Sequence, residues 1–258
     1  MRNIVAIIQA RTCSKRLPDK VLLGLEGRTV LEHIIERVKD SRLVNDVVVA
    51  TTIRREDLKI ARLCSKKGIR IYCGSEEDVL DRYYQAARIL GADHVVRITA
   101  DCPLVDPRVI DKVVHLHMSR KADYTSNVIR ESFPDGEDCE VFKFEVLKNA
   151  WQNAKLSSER EHVTPYIIKH PEIFKLENLD CKINLSQKRW TLDEIEDYKF
   201  IKLIYKRLYK KNRIFGMDKI LDLVKRYPEY EKINNKIPRN EGYSKSLAKD
   251  KLLTLDLG

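Results

Sequence analysis

The feature that most constrains this chain is its opening stretch, Ile4-Val5-Ala6-Ile7-Ile8, which runs straight into Gln9-Ala10-Arg11 and a basic loop. Five uninterrupted apolar residues bounded by polar sequence read as a strand buried on both faces, as in the middle of a parallel sheet. The loop after it carries Arg11, Lys15, Arg16 and Lys20 against Asp19 alone. Ligands of open α/β sheets sit beyond the carboxyl ends of the strands, so a basic loop at that position suits phosphates. A solvated basic loop is the plainer reading, since no Gly-rich phosphate loop accompanies the strand.

The sequence continues as alternating strands and helices. Thr29 and Glu32 form a capping-box pair before the stripe Leu31, Ile34, Ile35 and Val38. Strands are expected at Asp46–Ala50, Ile69–Tyr72 and His94–Ile98. Helices are expected at about 55–67, with Leu58, Ala61 and Leu63 inward, at Val79–Leu90 and from Pro107 to about Ser119. Ser75 reads as the cap of the second of these, with Glu76, Glu77 and Asp78 in its first turn. The alternation predicts a doubly wound, mostly parallel α/β sheet sandwiched by helices, a Rossmann-like architecture. One domain is expected over residues 1–233, with a basic, loosely packed tail over 234–258.

Composition narrows the class further. No stretch approaches the roughly 20 apolar residues of a membrane span, and the N-terminus enters a core strand with no room for a signal peptide. Six cysteines without a C-x-x-C pair suit a reduced, cytoplasmic protein without a disulfide frame or zinc site. The net charge is +10, and the stretch from Lys199 to Lys251, with sixteen Lys/Arg against six Asp/Glu, accounts for all of it. Such a run is ordinarily a solvated face. No helix-turn-helix or aromatic-interleaved RNA motif supports a nucleic-acid partner.

Four segments carry candidate chemistry. Asp101, between the fourth expected strand and Pro103, reads on its residues alone as a turn residue or a helix cap. Thr51, just past a strand end, offers a hydroxyl to a base or ribose. The acids Asp135, Glu137, Asp138 and Glu140 cluster around Gly136 but lack the length of a calcium loop. His162 precedes an expected helix, where a structural hydrogen bond is commoner than catalysis.

These segments resemble the sugar cytidylyltransferases (KDO and acylneuraminate cytidylyltransferase-like), and most closely the spore coat polysaccharide biosynthesis protein F branch. Ala10, Arg11, Ser14, Arg16, Pro18 and Lys20 match the opening motif of that family. Gly74-Ser75-x-x-Asp78-Val79-Leu80-x-Arg82-Tyr83, Arg97-Ile98-Thr99-Ala100-Asp101, the segment from Pro134 to Phe142, Arg160-Glu161-His162-Val163-Thr164-Pro165-Tyr166 and Arg189-x-Thr191-Leu192-Asp193 match later ones. The resemblance covers roughly residues 1–210. It implies transfer of CMP from CTP to a sugar or sugar acid, with release of pyrophosphate, for surface polysaccharide biosynthesis. It implies a nucleotide site of Ala10, Arg11, Ser14, Arg16, Lys20, Thr51, Ser75 and Arg82, with Arg11 and Lys20 on the triphosphate. It also implies Mg²⁺ held by Asp101 and Asp193. Acceptor contacts or sheet support would come from Asp138 and Glu140, an acceptor-side place for His162, acceptor and dimer elements from about 124–180, and a homodimer. CTP, rather than another triphosphate, rests on the resemblance alone. A glycosyltransferase of the same fold is the rival enzyme, but its Asp-x-Asp motif is absent, the position reading Asp101-Cys102-Pro103. A non-catalytic nucleotide or RNA binder using the basic C-terminal quarter is the other alternative.

Overall fold

The structure, a computed structural model, describes residues 2–211, 213–239, 244, 246–248 and 250. The opening run is strand β1 (Ile4–Gln9). A two-residue hairpin, β2 (Gly24–Leu25) and β3 (Arg28–Thr29), follows the basic loop. Then come α1 (Val30–Lys39), β4 (Asp46–Thr52), α2 (Leu58–Lys66), β5 (Arg70–Gly74), α3 (Val79–Ile89), β6 (His94–Thr99) and α4 (Pro107–Arg120). The later part holds β7 (Tyr124–Ser126), β8 (Glu140–Lys143), α5 (Phe144–Asn153), α6 (Ser157–His162), α7 (Pro165–Lys169), β9 (Leu176–Asn178), α8 (Ile195–Leu208) and α9 (Met217–Arg226).

Seven strands form one sheet in the order β5-β4-β1-β6-β8-β7-β9. β1 lies parallel between β4 and β6, with Ile7 opposite both Val48 and Arg97. β8 runs antiparallel to β6 and β7. Strand side chains alternate faces, so Ala6 and Ile8 join one core while Val5 and Ile7 join the other. That is the physical content of an apolar run with no polar alternation. The chain leaves β1 toward β4 on one side and later returns to β6 on the other. The carboxyl ends of these three strands therefore border the crevice where such a sheet binds ligands. Because β8 is reversed, the loop that precedes it opens at the same edge.

Local signals account for most boundaries. Thr29 caps α1 and Glu32 completes the capping box. Two expectations need correction. Ser75 is not the cap of α3: Asp78 is, accepting from the Asp81 amide, so Glu76 and Glu77 precede the helix. In α2 Ile60 and Cys64 are buried and Leu63, as expected, packs partly buried against the same core, while Leu58 is 47% exposed. The phase is set by Asp57, which must point inward to receive hydrogen bonds described below, and Ile60 and Cys64 follow it at +3 and +7 on the same face. Among the described residues no helix is long and apolar enough to cross a membrane, and all six cysteines are free.

Candidate active site

The basic loop is folded by a buried carboxylate that sequence reasoning missed. Asp57, 1% exposed, accepts the Thr12 amide and the Thr12 hydroxyl through Oδ1, both at 2.7 Å. Its Oδ2 accepts the Thr52 hydroxyl. The loop after β1 is thereby pinned to the end of β4. Ser14 Oγ accepts the Leu17 amide at 3.4 Å, and Asp19 adopts a left-handed conformation, φ 54°, which turns Lys20 back toward the sheet. No local motif announces Asp57, because its three bonds close only in the folded chain.

Lys20 is the centre of the site. Its ammonium donates to Asp101 Oδ2 at 3.0 Å and to Asp193 Oδ1 at 2.8 Å. The two carboxylates, expected to meet although far apart in sequence, thus share one cation. The means is backbone pairing: Leu192 N–H donates to Asp101 O at 2.8 Å, which lays residues 188–193 beside the end of β6. Trp190 N–H donates to Asp135 O at 2.7 Å on the other side. Gly136 permits that approach. It holds φ +104°, and a Cβ there would stand 2.6 Å from the Thr191 nitrogen and the Trp190 carbonyl carbon. Asp193 also receives Arg16 at 3.0 Å and Arg189 at 3.5 Å. Arg189 in turn binds Asp135 and Asp197.

The electrostatics follow from this convergence. Burial lowers the Lys20 pKa, but the Asp101 and Asp193 carboxylates outweigh it and hold the ammonium above its ordinary value. Burial opposes ionisation of Asp101, yet Lys20 and the Thr99 hydroxyl keep its pKa below the usual carboxylate range. Burial pushes Asp135 up to about 6 despite Arg239 and Arg189. Two carboxylates converging on one cation, at a strand end that faces a basic loop, fit a magnesium ion that takes its remaining ligands from phosphates and water. Among the described residues no cluster of three or more metal-ligating side chains exists.

A second group lies at the carboxyl edge beside β1, β4 and α3. Arg82 is 2% exposed, and its Nε and Nη1 have no partner, nor do Thr51 Oγ1 and Gln9 Oε1. Burial depresses the Arg82 pKa, with Arg11 nearby also lowering it and Tyr83, Asp57 and Glu76 opposing. Native proteins rarely leave buried donors and acceptors unpaired without a purpose. Gly74 leaves room for this side chain, since a Cβ there would stand 2.8 Å from Arg82 Cγ. Arg11 and Lys15 are exposed. Ala10 is buried, its amide bonded to Ala50 O at 3.0 Å. Ser75 Oγ is turned to the Asp78 amide, 3.1 Å away.

The site can now be compared with known proteins. The sequence profile of the cytidylyltransferase family matches residues 5–235. The chain belongs to the cytidylyltransferase family. An uncharacterized protein of Methanocaldococcus jannaschii is 42% identical over 247 residues, 93% of this chain and 98% of the relative. The spore coat polysaccharide biosynthesis protein SpsF of Bacillus subtilis is 32% identical over 89% of this chain and 97% of its own. A cytidylyltransferase of Leptospira borgpetersenii has the same fold at a TM-score of 0.85, with 32% identity over 90% of this chain and 97% of that one.

Within this cytidylyltransferase the expected acceptor-side residues separate. Glu140 is a sheet residue: one oxygen pairs with partly buried Arg97 and the other accepts the hydroxyl of buried Tyr124 at 2.7 Å. Asp138 instead faces the C-terminal segment through Arg239, 3.1 Å away. His162 ends α6, and its Nε2 lies 3.0 Å from Ser246 Oγ. Among the described residues from 234 onward, Asn235, Lys236, Pro238, Ser244 and Ala248 are exposed, while Asn234, Ser246 and Asp250 are buried. Asn234 is 3% exposed, and Asp250 is buried against Ser157 and Ser158. Their polar partners lie 37 to 93 residues away, which a polar, lysine-rich composition does not reveal.

Proposed function

We propose that this cytidylyltransferase moves CMP from CTP to a hydroxyl of a sugar or sugar acid destined for a surface polysaccharide. The observation that carries the reading is Lys20 held between Asp101 and Asp193 at the carboxyl edge of the β1 and β6 strands, next to unpartnered buried donors. The acceptor oxygen forms a bond to the α-phosphorus as the bond to the β-phosphate oxygen breaks, pyrophosphate leaves, and the hydroxyl proton passes to solvent. No covalent intermediate on the protein is needed, so the work of the chain is positioning and charge neutralisation.

Arg11 and Lys15, exposed beside the strand end, take the outer phosphates. Lys20 and Arg16 turn from the carboxylates toward phosphate oxygens as the nucleotide enters. Arg82 supplies fixed donors to a base carbonyl, and Thr51 and Gln9 offer their unpaired oxygens to donors of the same nucleoside. Asp101 and Asp193 would hold Mg²⁺, which neutralises phosphate charge when bound.

The test is pyrophosphate release with each of the four nucleoside triphosphates and Mg²⁺ across a panel of sugar acids and amino sugars. CTP with one acceptor is the expected pair. Failure of every triphosphate both to release pyrophosphate and to raise the melting temperature overturns the reading.

A further inference from the structure

The C-terminal segment reaches back to the acceptor side of the site. Asn234 donates its amide to Arg189 O at 3.0 Å and to Asp197 Oδ1 at 2.9 Å. Arg189 Nη1 donates to Pro238 O at 3.3 Å. One residue later Arg239 crosses to the loop before β8. Its Nη2 donates to Asp138 Oδ1 at 3.1 Å and its Nη1 to Phe133 O at 3.4 Å. Its Nε stands 3.3 Å from Glu131 Oε1 and 3.7 Å from Asp135 Oδ1. The guanidinium side chain is only 14% exposed, so these contacts are largely shielded from water and salt.

Charge balance makes this contact consequential. The loop presents Glu131, Asp135 and Asp138, while Glu137 is buried. Arg189 serves Asp135 but is shared with Asp193 and Asp197. Asp138 has Arg239 as its ion-pair partner and Asp135 and Glu140 as like-charged neighbours. Arg239 lies beyond residue 235, where the family match ends.

We infer that Arg239 is a positioning residue for the acceptor: it holds the Phe133–Asp138 loop against the Arg189–Asp193 segment and keeps Asp138 available as an anionic acceptor contact. The inference rests on the reading of the site as a CMP transferase. Arg239 contacts Phe133, Asp138, Glu131 and Asp135, a set apart from Arg82, Thr51 and Gln9 of the nucleotide group, so nucleotide and acceptor affinity should separate.

The test uses the full chain with Arg239→Ala, Arg239→Gln and Arg239→Lys. Three quantities are read: the CTP-induced rise in melting temperature, the Asp138 titration by carboxyl NMR, and KM with CTP and 3-deoxy-manno-octulosonate as the acceptor probe. Burial, Asp135 and Glu140 raise the Asp138 pKa to about 7 while Arg239 and the Gly136 amide lower it. Loss of the guanidinium charge should therefore move the midpoint upward, and lysine should restore it. The CTP shift should stay unchanged, and the KM for the probe should rise at least tenfold while that for CTP stays within twofold. Should alanine prevent folding, the glutamine variant, which keeps donors but loses charge, is read in the same way. An Asp138 midpoint that does not move, or a KM for CTP that rises as much as that of the probe, overturns the inference. Absence of any CTP shift in the unaltered protein overturns the transferase reading instead, and the Asp138 titration still decides the role of Arg239.

Discussion

Replacing Asp57 by alanine should damage the nucleotide edge although Asp57 touches no expected ligand. Three buried donors lose their acceptor: the Thr12 amide, the Thr12 hydroxyl and the Thr52 hydroxyl. Thr12 and Thr52 are 4% and 2% exposed, so water does not readily replace the carboxylate. Hydrogen bonds to a charged acceptor contribute about 1.5–3 kcal/mol each. The two hydroxyls can rotate toward other acceptors, so the three do not add in full, and about 3–5 kcal/mol is expected. For a chain of this size that corresponds to a fall in melting temperature of roughly 10 °C. The basic loop also loses its anchor to β4, and buried Arg82 loses a nearby anion. The CTP-induced melting shift should therefore shrink in parallel. Asp57→Asn should cost less, about 1–2 kcal/mol, because one amide oxygen still accepts both Thr12 groups. Urea unfolding of the two variants, each with and without CTP, measures both effects. An alanine variant within about 1 kcal/mol of the parent, with an undiminished CTP shift, would refute the view that Asp57 shapes the loop.

Arg82→Met should leave the ligand-free protein as stable as the parent or more so, because it removes a buried charge with unpaired donors. The same variant should abolish the CTP-induced melting shift, and retention of that shift refutes the base-contact role. Lys20→Met should reduce pyrophosphate release by about 10²–10³, the range for loss of one electrostatic stabiliser, as read in the coupled phosphate assay. A fall below tenfold refutes its central place. Glu137 is fully buried and its pKa is raised by burial from 4.5 to about 8. The native state thus keeps a proton that the unfolded chain releases, and this group costs stability progressively as pH rises from about 4.5 to 8. Glu137→Gln should gain on the parent in urea unfolding across that window. A difference that is constant between pH 5 and 8 rules this out.

What was legible in the sequence is what short-range physics encodes. The Ile4–Ile8 run could only be a strand with two apolar faces, and Thr29 with Glu32 is a self-contained cap. The pairing of Asp101 with Asp193 came from motif resemblance, and the structure supplies its cause in the Leu192–Asp101 backbone bond. Other features had no local signature. Asp57 looks like any acid at a helix start until its three donors arrive from the loop after β1 and from β4. Ser75 reads as the cap with Asp78 in the first turn, yet the helix starts one turn later and Asp78 caps it. For Glu140 the sequence left acceptor contact and sheet support open, and only the fold, which commits its two oxygens to Arg97 and Tyr124, decides for the sheet. Arg239 sits in a lysine-rich stretch whose composition resembles a solvated tail, and only its distant carboxylates give it a place.

The ion triad also sets an order of assembly. Lys20 waits 81 residues for Asp101 and 173 for Asp193. Strands β1, β4, β5 and β6 are all complete by Thr99, and domains emerging from the ribosome fold from the N-terminal end. A growing chain therefore owns the parallel half of its sheet, with Arg82 in place, long before it owns both carboxylates. The basic loop and Arg82 are made first, and the carboxylate pair that closes on Lys20 is withheld until Asp193 is added, 173 residues after Lys20.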